Sequence, residues 1–246
     1  MRTTRLYVPV TTLTCDSPVG SHIGLDKDAS RYLTNVLRFK PGDRLVLFNG
    51  DGKDYAASII DTGKSVQVEI TAATHNNAES PVAITLVQSL AKGTKLDLVI
   101  QKATELGAVR ISPVSTERTV LRVDEKRSER KLEHWNKVAS SACAQSQRSV
   151  IPVIDPVIEL TQWLTTHSGE QSVMIHPGAE QTFGDLELQT RMNIIVGPEG
   201  GFSEQELQLA KSTQVNVVRC GPRVLRTETA GFAAIAIVQS LMGDMG

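Results

Sequence analysis

The chain has 246 residues, is 40% hydrophobic and carries a formal charge of −1, so it can bury a proper core in one large or two small domains. Its three cysteines (Cys15, Cys143 and Cys220) are odd in number, widely spaced and contain no C-x-x-C pair, which excludes a disulfide framework and a zinc site and fits reduced thiols in a cytoplasmic protein. The five histidines show no ligand spacing, so no metal is expected. Met1-Arg2-Thr3-Thr4-Arg5 leads into a strand rather than an apolar signal core. Short alternating segments follow as far as Ile70: Arg44 to Phe48, Tyr55 to Ile60 and Ser65 to Ile70. Asn49-Gly50-Asp51-Gly52 and Asp61-Thr62-Gly63-Lys64 supply the turns between them. One helix, roughly Lys27 to Leu37, interrupts the pattern, which reads as a small β-barrel. The polar stretch Thr71 to Pro81 reads as a linker.

From Val82 the rhythm becomes strand and helix in alternation, the pattern of a mainly parallel sheet. A strand Val82 to Leu90 precedes a helix from about Lys95 to Leu106. Leu96, Val99, Ile100, Ala103 and Leu106 fall on one face of that helix, and Gly107 sits where a helix-ending glycine belongs. Val109 to Val114 is the next strand and Asp124 to Gln147 a long charged helix. Val173 to His176, Asn193 to Val196 and Val215 to Val218 read as further strands. The last helix, about Glu228 to Met242, is apolar nearly all round and must be covered on more than one side. The longest apolar-rich run, Ala230 to Met242, is shorter than the about 20 residues that span a bilayer, so no membrane partner is expected.

Two segments carry chemistry. Ile194-Ile195-Val196-Gly197-Pro198-Glu199-Gly200-Gly201-Phe202-Ser203 ends a strand in a glycine turn and starts a helix. Ser203 and Glu206 form its capping box. Gly221-Pro222-Arg223-Val224-Leu225-Arg226-Thr227-Glu228-Thr229-Ala230 repeats the design about two dozen residues later. Strand ends of this kind hold small ligands in open α/β sheets. No Gly-Lys-Ser/Thr follows, the dinucleotide glycine spacing is missing, and Glu204 and Glu206 at the helix start repel phosphate. A ligand without phosphates, held by backbone groups, fits best. A nucleotide-dependent enzyme and a plain RNA-binding module remain as alternatives.

The charge is unevenly distributed. Residues 1–148 hold 21 Lys and Arg against 16 Asp and Glu, while residues 149–246 hold 5 against 11. That asymmetry suits a basic RNA-facing surface. With only 4% aromatic residues, contact with phosphates and shape is a better expectation than base stacking.

The two loop motifs resemble those of the RsmE-type ribosomal RNA uridine N3-methyltransferases of the SPOUT class. Val36-Leu37-Arg38, Gln101-Lys102-Ala103-Thr104-Glu105-Leu106-Gly107 and His176-Pro177 extend the resemblance over nearly the whole chain. It departs from the family at Ala144-Gln145, where Glu-Gln is common. The resemblance implies an α/β protein with a PUA-like RNA-binding β-barrel (residues 1–72), a linker (73–81) and a trefoil-knot methyltransferase domain (82–246). It also implies a homodimer formed through the C-terminal part, the cofactor S-adenosylmethionine, and 16S ribosomal RNA of the 30S small subunit as substrate. The cofactor would then lie among His176, Pro177, Gly197, Pro198, Glu199, Gly200, Gly201, Val224, Leu225, Arg226 and Thr227. Arg226 is the candidate to stabilise the uridine anion or orient RNA, and Glu199 and Glu228 are the candidate bases. Arg2, Arg5, Arg31, Arg38, Lys40, Lys92, Lys95, Arg118, Arg122 and Arg148 are the candidate RNA contacts.

Overall fold

The computed structural model describes residues 3–14, 19–90, 95–119 and 125–246, with the side chains of residues 125–127 excepted. Arg2, Lys92 and Arg122, expected to meet RNA, and Cys15 lie outside the described residues. The chain divides into two compact units. One is Met1–Glu79 with Cys143–Ile151, and the other is Ser80–Ala142 with Pro152–Gly246.

The first unit is a five-stranded sheet in the order β1-β3-β4-β5-β2. Its strands are β1 (Arg5–Tyr7), β2 (His22–Gly24), β3 (Arg44–Phe48), β4 (Lys53–Asp61) and β5 (Gln67–His75). Alternate residues of β3, β4 and β5 are buried, as expected for a sheet with one face on a core. Leu45, Leu47, Tyr55, Ala57, Ile59, Val68 and Ile70 fill that core with Leu13, Ile23, Leu25 and Leu33. All pairings are antiparallel except β1 with β3. β5 continues to His75, pairing with Lys53, so strand replaces the first part of the stretch read as linker. The single helix read over Lys27 to Leu37 is two pieces. α1 (Lys27–Arg31), capped by Asp26 at Ala29 N, widens into a π turn over Tyr32–Val36. Leu37 N closes that turn on Tyr32 O at 3.1 Å, a bond between residues five apart that heptad-like periodicity does not distinguish from α-helix.

The second unit is an all-parallel sheet in the order β12-β10-β11-β6-β7-β8, with β9 also on β7. Its strands are β6 (Ala83–Ser89), β7 (Arg110–Ser115), β8 (Val153–Ile154), β9 (Ile158–Glu159), β10 (Ser172–Ile175), β11 (Arg191–Val196) and β12 (Asn216–Val218). β11 is buried from Met192 to Val196 without alternation, the mark of a parallel strand covered on both faces. The helices are α2 (Lys95–Glu105), α3 (Glu125–Ser146, whose last residues belong to the first unit), α4 (Leu160–Thr166), α5 (Glu204–Ser212) and α6 (Thr227–Met242).

α2 buries Leu96, Val99, Ile100 and Ala103, and Gly107 ends it at φ +87°. β8, β9 and α4 have no counterpart in the sequence reading. α6 buries Ala230, Gly231, Ala234, Ile235 and Val238. At its far end the Gln239 side chain accepts from Ser80 Oγ at 2.6 Å and donates to Leu106 O at 2.9 Å. Among the described residues, no helix is long and apolar enough to cross a membrane.

Candidate functional site

β11 ends at Val196, and the next five residues turn sharply. Gly201 N bonds Pro198 O at 2.9 Å, and Gly201 takes φ +69°, which glycine adopts without strain. Gly197 is glycine for a different reason, because an added Cβ would lie 3.0 Å from the ring of Phe202. That ring is 4% exposed and packed in the core with Ile195 and Ala210, so it cannot easily yield. α5 then starts with the expected capping box. Ser203 Oγ accepts from Glu206 N, and Glu206 Oε2 accepts from Ser203 N at 2.8 Å. β12 ends at Val218, and a second loop leads to α6, whose first residue, Thr227, donates from Oγ1 to Gly197 O at 2.5 Å. Gln88 Nε2 donates to the same hydroxyl at 2.9 Å. A buried amide and a buried hydroxyl therefore tie β6 and α6 to the glycine loop.

The two loops wall a cavity of about 480 Å³, within the range of small-molecule sites. His176, Pro177, Gly197 to Gly201 and Val224 to Thr227 all line it, so every residue expected around a cofactor meets there. Arg118, Phe202, Cys220, Gly221, Arg223 and Ala230 also line it. Arg223 and Gly221 stood within a quoted motif. Phe202 and Ala230 stood there too, and Cys220 carried no signal for this role. His176 Nδ1 accepts from Gly178 N at 3.1 Å, which assigns its proton to Nε2. Burial pushes the Cys220 thiol up, so it is not a thiolate nucleophile at neutral pH. Among the described residues there is no group of three or more His, Cys, Asp or Glu placed to hold a metal ion.

The charged groups divide in an unexpected way. Glu199 lines the cavity, but the ion pair on it comes from Lys95, with Nζ 2.7 Å from Oε1. Glu228 does not line the cavity. Its Oε2 is buried without a hydrogen-bond partner among the described residues, 3.8 Å from Lys95 Nζ. The hydrogen bond to Glu199, with the charges of Glu199 and Glu228, outweighs burial and the repulsion of Arg226 and raises the Lys95 pKa, so this lysine stays a cation. Arg226 is exposed on the cavity wall. Arg118 donates to Gly200 O at 2.9 Å.

The other basic residues expected to meet RNA separate by burial. Arg31, Arg38 and Lys40 are exposed near the π turn of the first unit. Arg5 and Arg148 are turned inward instead. Arg5 Nη1 and Nη2 hold Asp54 at 2.6 and 2.9 Å, and Nη2 also donates to Ser149 Oγ at 2.7 Å. Arg148, with 3% of its side chain exposed, grips Glu79 from Nη2 at 2.6 Å and from Nε at 3.0 Å. These two guanidinium groups serve the interior of the first unit and are not presented to a nucleic acid.

The geometry agrees with what the chain is similar to. A family model for an RNA methyltransferase domain matches residues 78–239, and one for an RNA methyltransferase PUA domain matches residues 25–71. A protein of Buchnera aphidicola named Ribosomal RNA small subunit methyltransferase E is 33% identical, covering 89% of this chain and 88% of its own. Its namesake from Bacillus subtilis is 30% identical over 87% of this chain and 89% of its own. The crystal structure of a Ribosomal RNA small subunit methyltransferase E from Neisseria gonorrhoeae, bound to S-adenosyl methionine, shares the fold. Its TM-score is 0.92 and its identity 35%, and the match covers 100% of both chains. The cavity at the carboxyl ends of β10, β11 and β12 thus sits in a matched catalytic domain, and the chain belongs to the RNA methyltransferase family.

Proposed function

We propose that the chain transfers a methyl group from S-adenosylmethionine to N3 of a uridine in 16S ribosomal RNA, acting on the small ribosomal subunit. The observation that carries this reading is the cavity between the Gly197–Gly201 loop and the Gly221–Thr227 loop, in a fold shared at 35% identity with a relative solved with S-adenosyl methionine.

The residues present fit such a cofactor. The N-terminus of α5 is closed by Ser203 and Glu206, so its amides are not offered to a phosphate. The glycine loop presents backbone groups to the cavity, and Gly200 and Gly201 add no bulk. When bound, the cofactor supplies an electrophilic methyl group for in-line displacement. This chain's task is positioning, together with charge control at the uridine. N3 of a neutral uridine carries a proton and must lose it to attack. The exposed guanidinium of Arg226 stabilises the resulting anion in the uracil ring. Glu199 is the carboxylate on the wall and accepts the N3 proton, with Lys95 opposite it. Glu228 faces the same lysine and supports the charge balance. Arg31, Arg38 and Lys40 contribute phosphate contacts from the PUA-matched unit.

The same reading expects a cytoplasmic homodimer. Leu241 on α6 is 55% exposed in the single chain and is a candidate for cover by a second copy.

The test is methylation with labelled S-adenosylmethionine, using small-subunit particles and naked 16S ribosomal RNA from cells lacking this protein, followed by mapping of the modified nucleoside. N3-methyluridine at one site is expected. Label on another atom would overturn the uridine assignment. No label, with no rise in melting temperature on adding the cofactor, would overturn the enzyme reading altogether.

A further inference from the structure

We propose that Arg118 is a positioning residue of the cofactor cavity, seated there by Glu206, rather than a contact for RNA phosphates. The inference rests on the reading of that cavity as the S-adenosylmethionine site.

After β7 the chain makes a tight turn. Thr119 N bonds Thr116 O at 3.0 Å, and Thr119 Oγ1 accepts from Thr116 N at 2.9 Å. The turn is anchored from below by a buried carboxylate. Glu206 is 3% exposed, and its two oxygens do different work. Oε2 completes the capping box at Ser203 N, while Oε1 accepts from Glu117 N at 2.9 Å. A capping box needs only the first of these bonds. The second fastens a segment 89 residues away in sequence to the start of α5. The residue after Glu117 is then delivered to the glycine loop. Arg118 Nη1 donates to Gly200 O at 2.9 Å, and the Arg118 side chain packs over Gly200, where an added Cβ would lie 3.4 Å from its own Cβ.

That carbonyl belongs to the peptide that joins two glycines. Gly200 and Gly201 carry no side chains, and Gly201 is at φ +69°. Glycine peptides of this kind rotate at low cost. Thr227 fixes the Gly197 end of the loop and Arg118 fixes the Gly200 end. With both carbonyls captured, the peptide groups of the turn are oriented before any ligand arrives, which lowers the cost of binding. A guanidinium bonded to a backbone carbonyl at the cavity wall is poorly placed to reach a distant phosphate at the same time.

The test separates cofactor from RNA. Arg118→Ala and Arg118→Lys are compared with wild type by calorimetric titration of S-adenosylmethionine, by KM for small-subunit particles and by the melting temperature of the free protein. Arg118 is exposed, so Arg118→Ala is expected to fold with an unchanged melting temperature. The Kd for S-adenosylmethionine is expected to rise about tenfold, equivalent to about 1.4 kcal/mol, with KM for particles within about twofold. Arg118→Lys, which keeps one donor, is expected to recover most of the affinity. Glu206→Gln keeps a single acceptor oxygen and is expected to weaken cofactor binding in the same direction. A raised KM for particles with unchanged cofactor affinity would overturn the proposal and return Arg118 to RNA. Unchanged values of both would also overturn it. If wild type itself binds no S-adenosylmethionine, the reading of the cavity fails and this inference falls with it.

Discussion

Two groups of arginines, one in each unit, are used in opposite ways. In the first, Arg5 and Arg148 are drawn inward onto Asp54 and Glu79, with 7% and 3% of their side chains exposed. In the second, Arg118, Arg223 and Arg226 stand on the wall of an open cavity. A buried charge must be paired and hydrogen-bonded, so the first unit sets Arg148 against Glu79, and Arg5 against Asp54, Ser149 Oγ and the Arg148 carbonyl. A charge that serves a guest must keep donors free, and Arg223 and Arg226 are exposed at the cavity, while Arg118 spends Nη1 on Gly200 O. Arg31 and Arg38 of the first unit are exposed as well, so burial, and not the unit, separates an arginine spent on the interior from one open to solvent.

The sharpest way to break this contrast is to remove one arginine from each side. Arg148→Ala leaves Glu79 without its ion-pair partner and is expected to destabilise the protein by about 3 kcal/mol. Urea unfolding checks this, and cofactor affinity per folded molecule is expected to stay unchanged. Arg226→Ala is expected to do the reverse. Stability stays within about 0.5 kcal/mol of wild type, as for an exposed side chain. Turnover on small-subunit particles falls about a hundredfold, the typical cost of losing one anion-stabilising donor. If Arg226→Ala unfolds the protein, or Arg148→Ala removes activity without loss of stability, the contrast fails.

A subtler effect is expected from pH. Burial alone would raise the Asp54 pKa, but hydrogen bonds from Arg5, Ser149 and Asn76 and the charge of Arg5 outweigh it and hold the carboxyl below its ordinary value of 3.8. A depressed folded-state value means that Asp54 contributes stability fully above that ordinary value and loses it as pH falls through the folded value. Melting curves of wild type and Asp54→Asn are expected to differ most near neutrality and to converge as pH falls through the depressed folded-state value. The smallest effect is expected at Lys95. Its pair with Glu199 is well exposed on both sides, so Lys95→Met is expected to change cofactor affinity by no more than about twofold at physiological salt, and by more at low salt. A larger change at physiological salt would give Lys95 a direct part in the site.

Much of this architecture was legible because it is local. The Ser203–Glu206 box lies within four residues, α2 shows its apolar face at helical spacing, and β11 ends in the apolar run Ile194–Val196, which stops at glycine and proline. The cavity wall followed from two such strand ends with similar loops. What escaped the reading is either too short or too distant. β8 and β9 are two residues each, and α4 is seven, below the length at which periodicity speaks. The burial of Arg148 depends on Glu79, 69 residues earlier, and the partner of Lys95 is 104 residues later. Nothing in the spacing of single charges points to such pairs, so Arg5, Arg148 and Lys95 were read as surface charges for RNA. Glu206 was read correctly as a cap, but its second oxygen, which reaches Glu117, was invisible for the same reason.

The first unit is built from two stretches of chain, and this bears on the order of events during synthesis. Its Arg5 waits for Ser149, 144 residues downstream, and its Glu79 waits for Arg148. Between them the ribosome must produce Ser80–Ala142, which belongs to the other unit. At about 5–20 residues per second that interval lasts roughly 3 to 13 seconds, during which Arg5, Asp54 and Glu79 lack their downstream partners. The nascent first unit is therefore incomplete until residue 151 has emerged. The enzyme's maturation is timed by a nine-residue strip, Cys143–Ile151, rather than by the end of its first sheet.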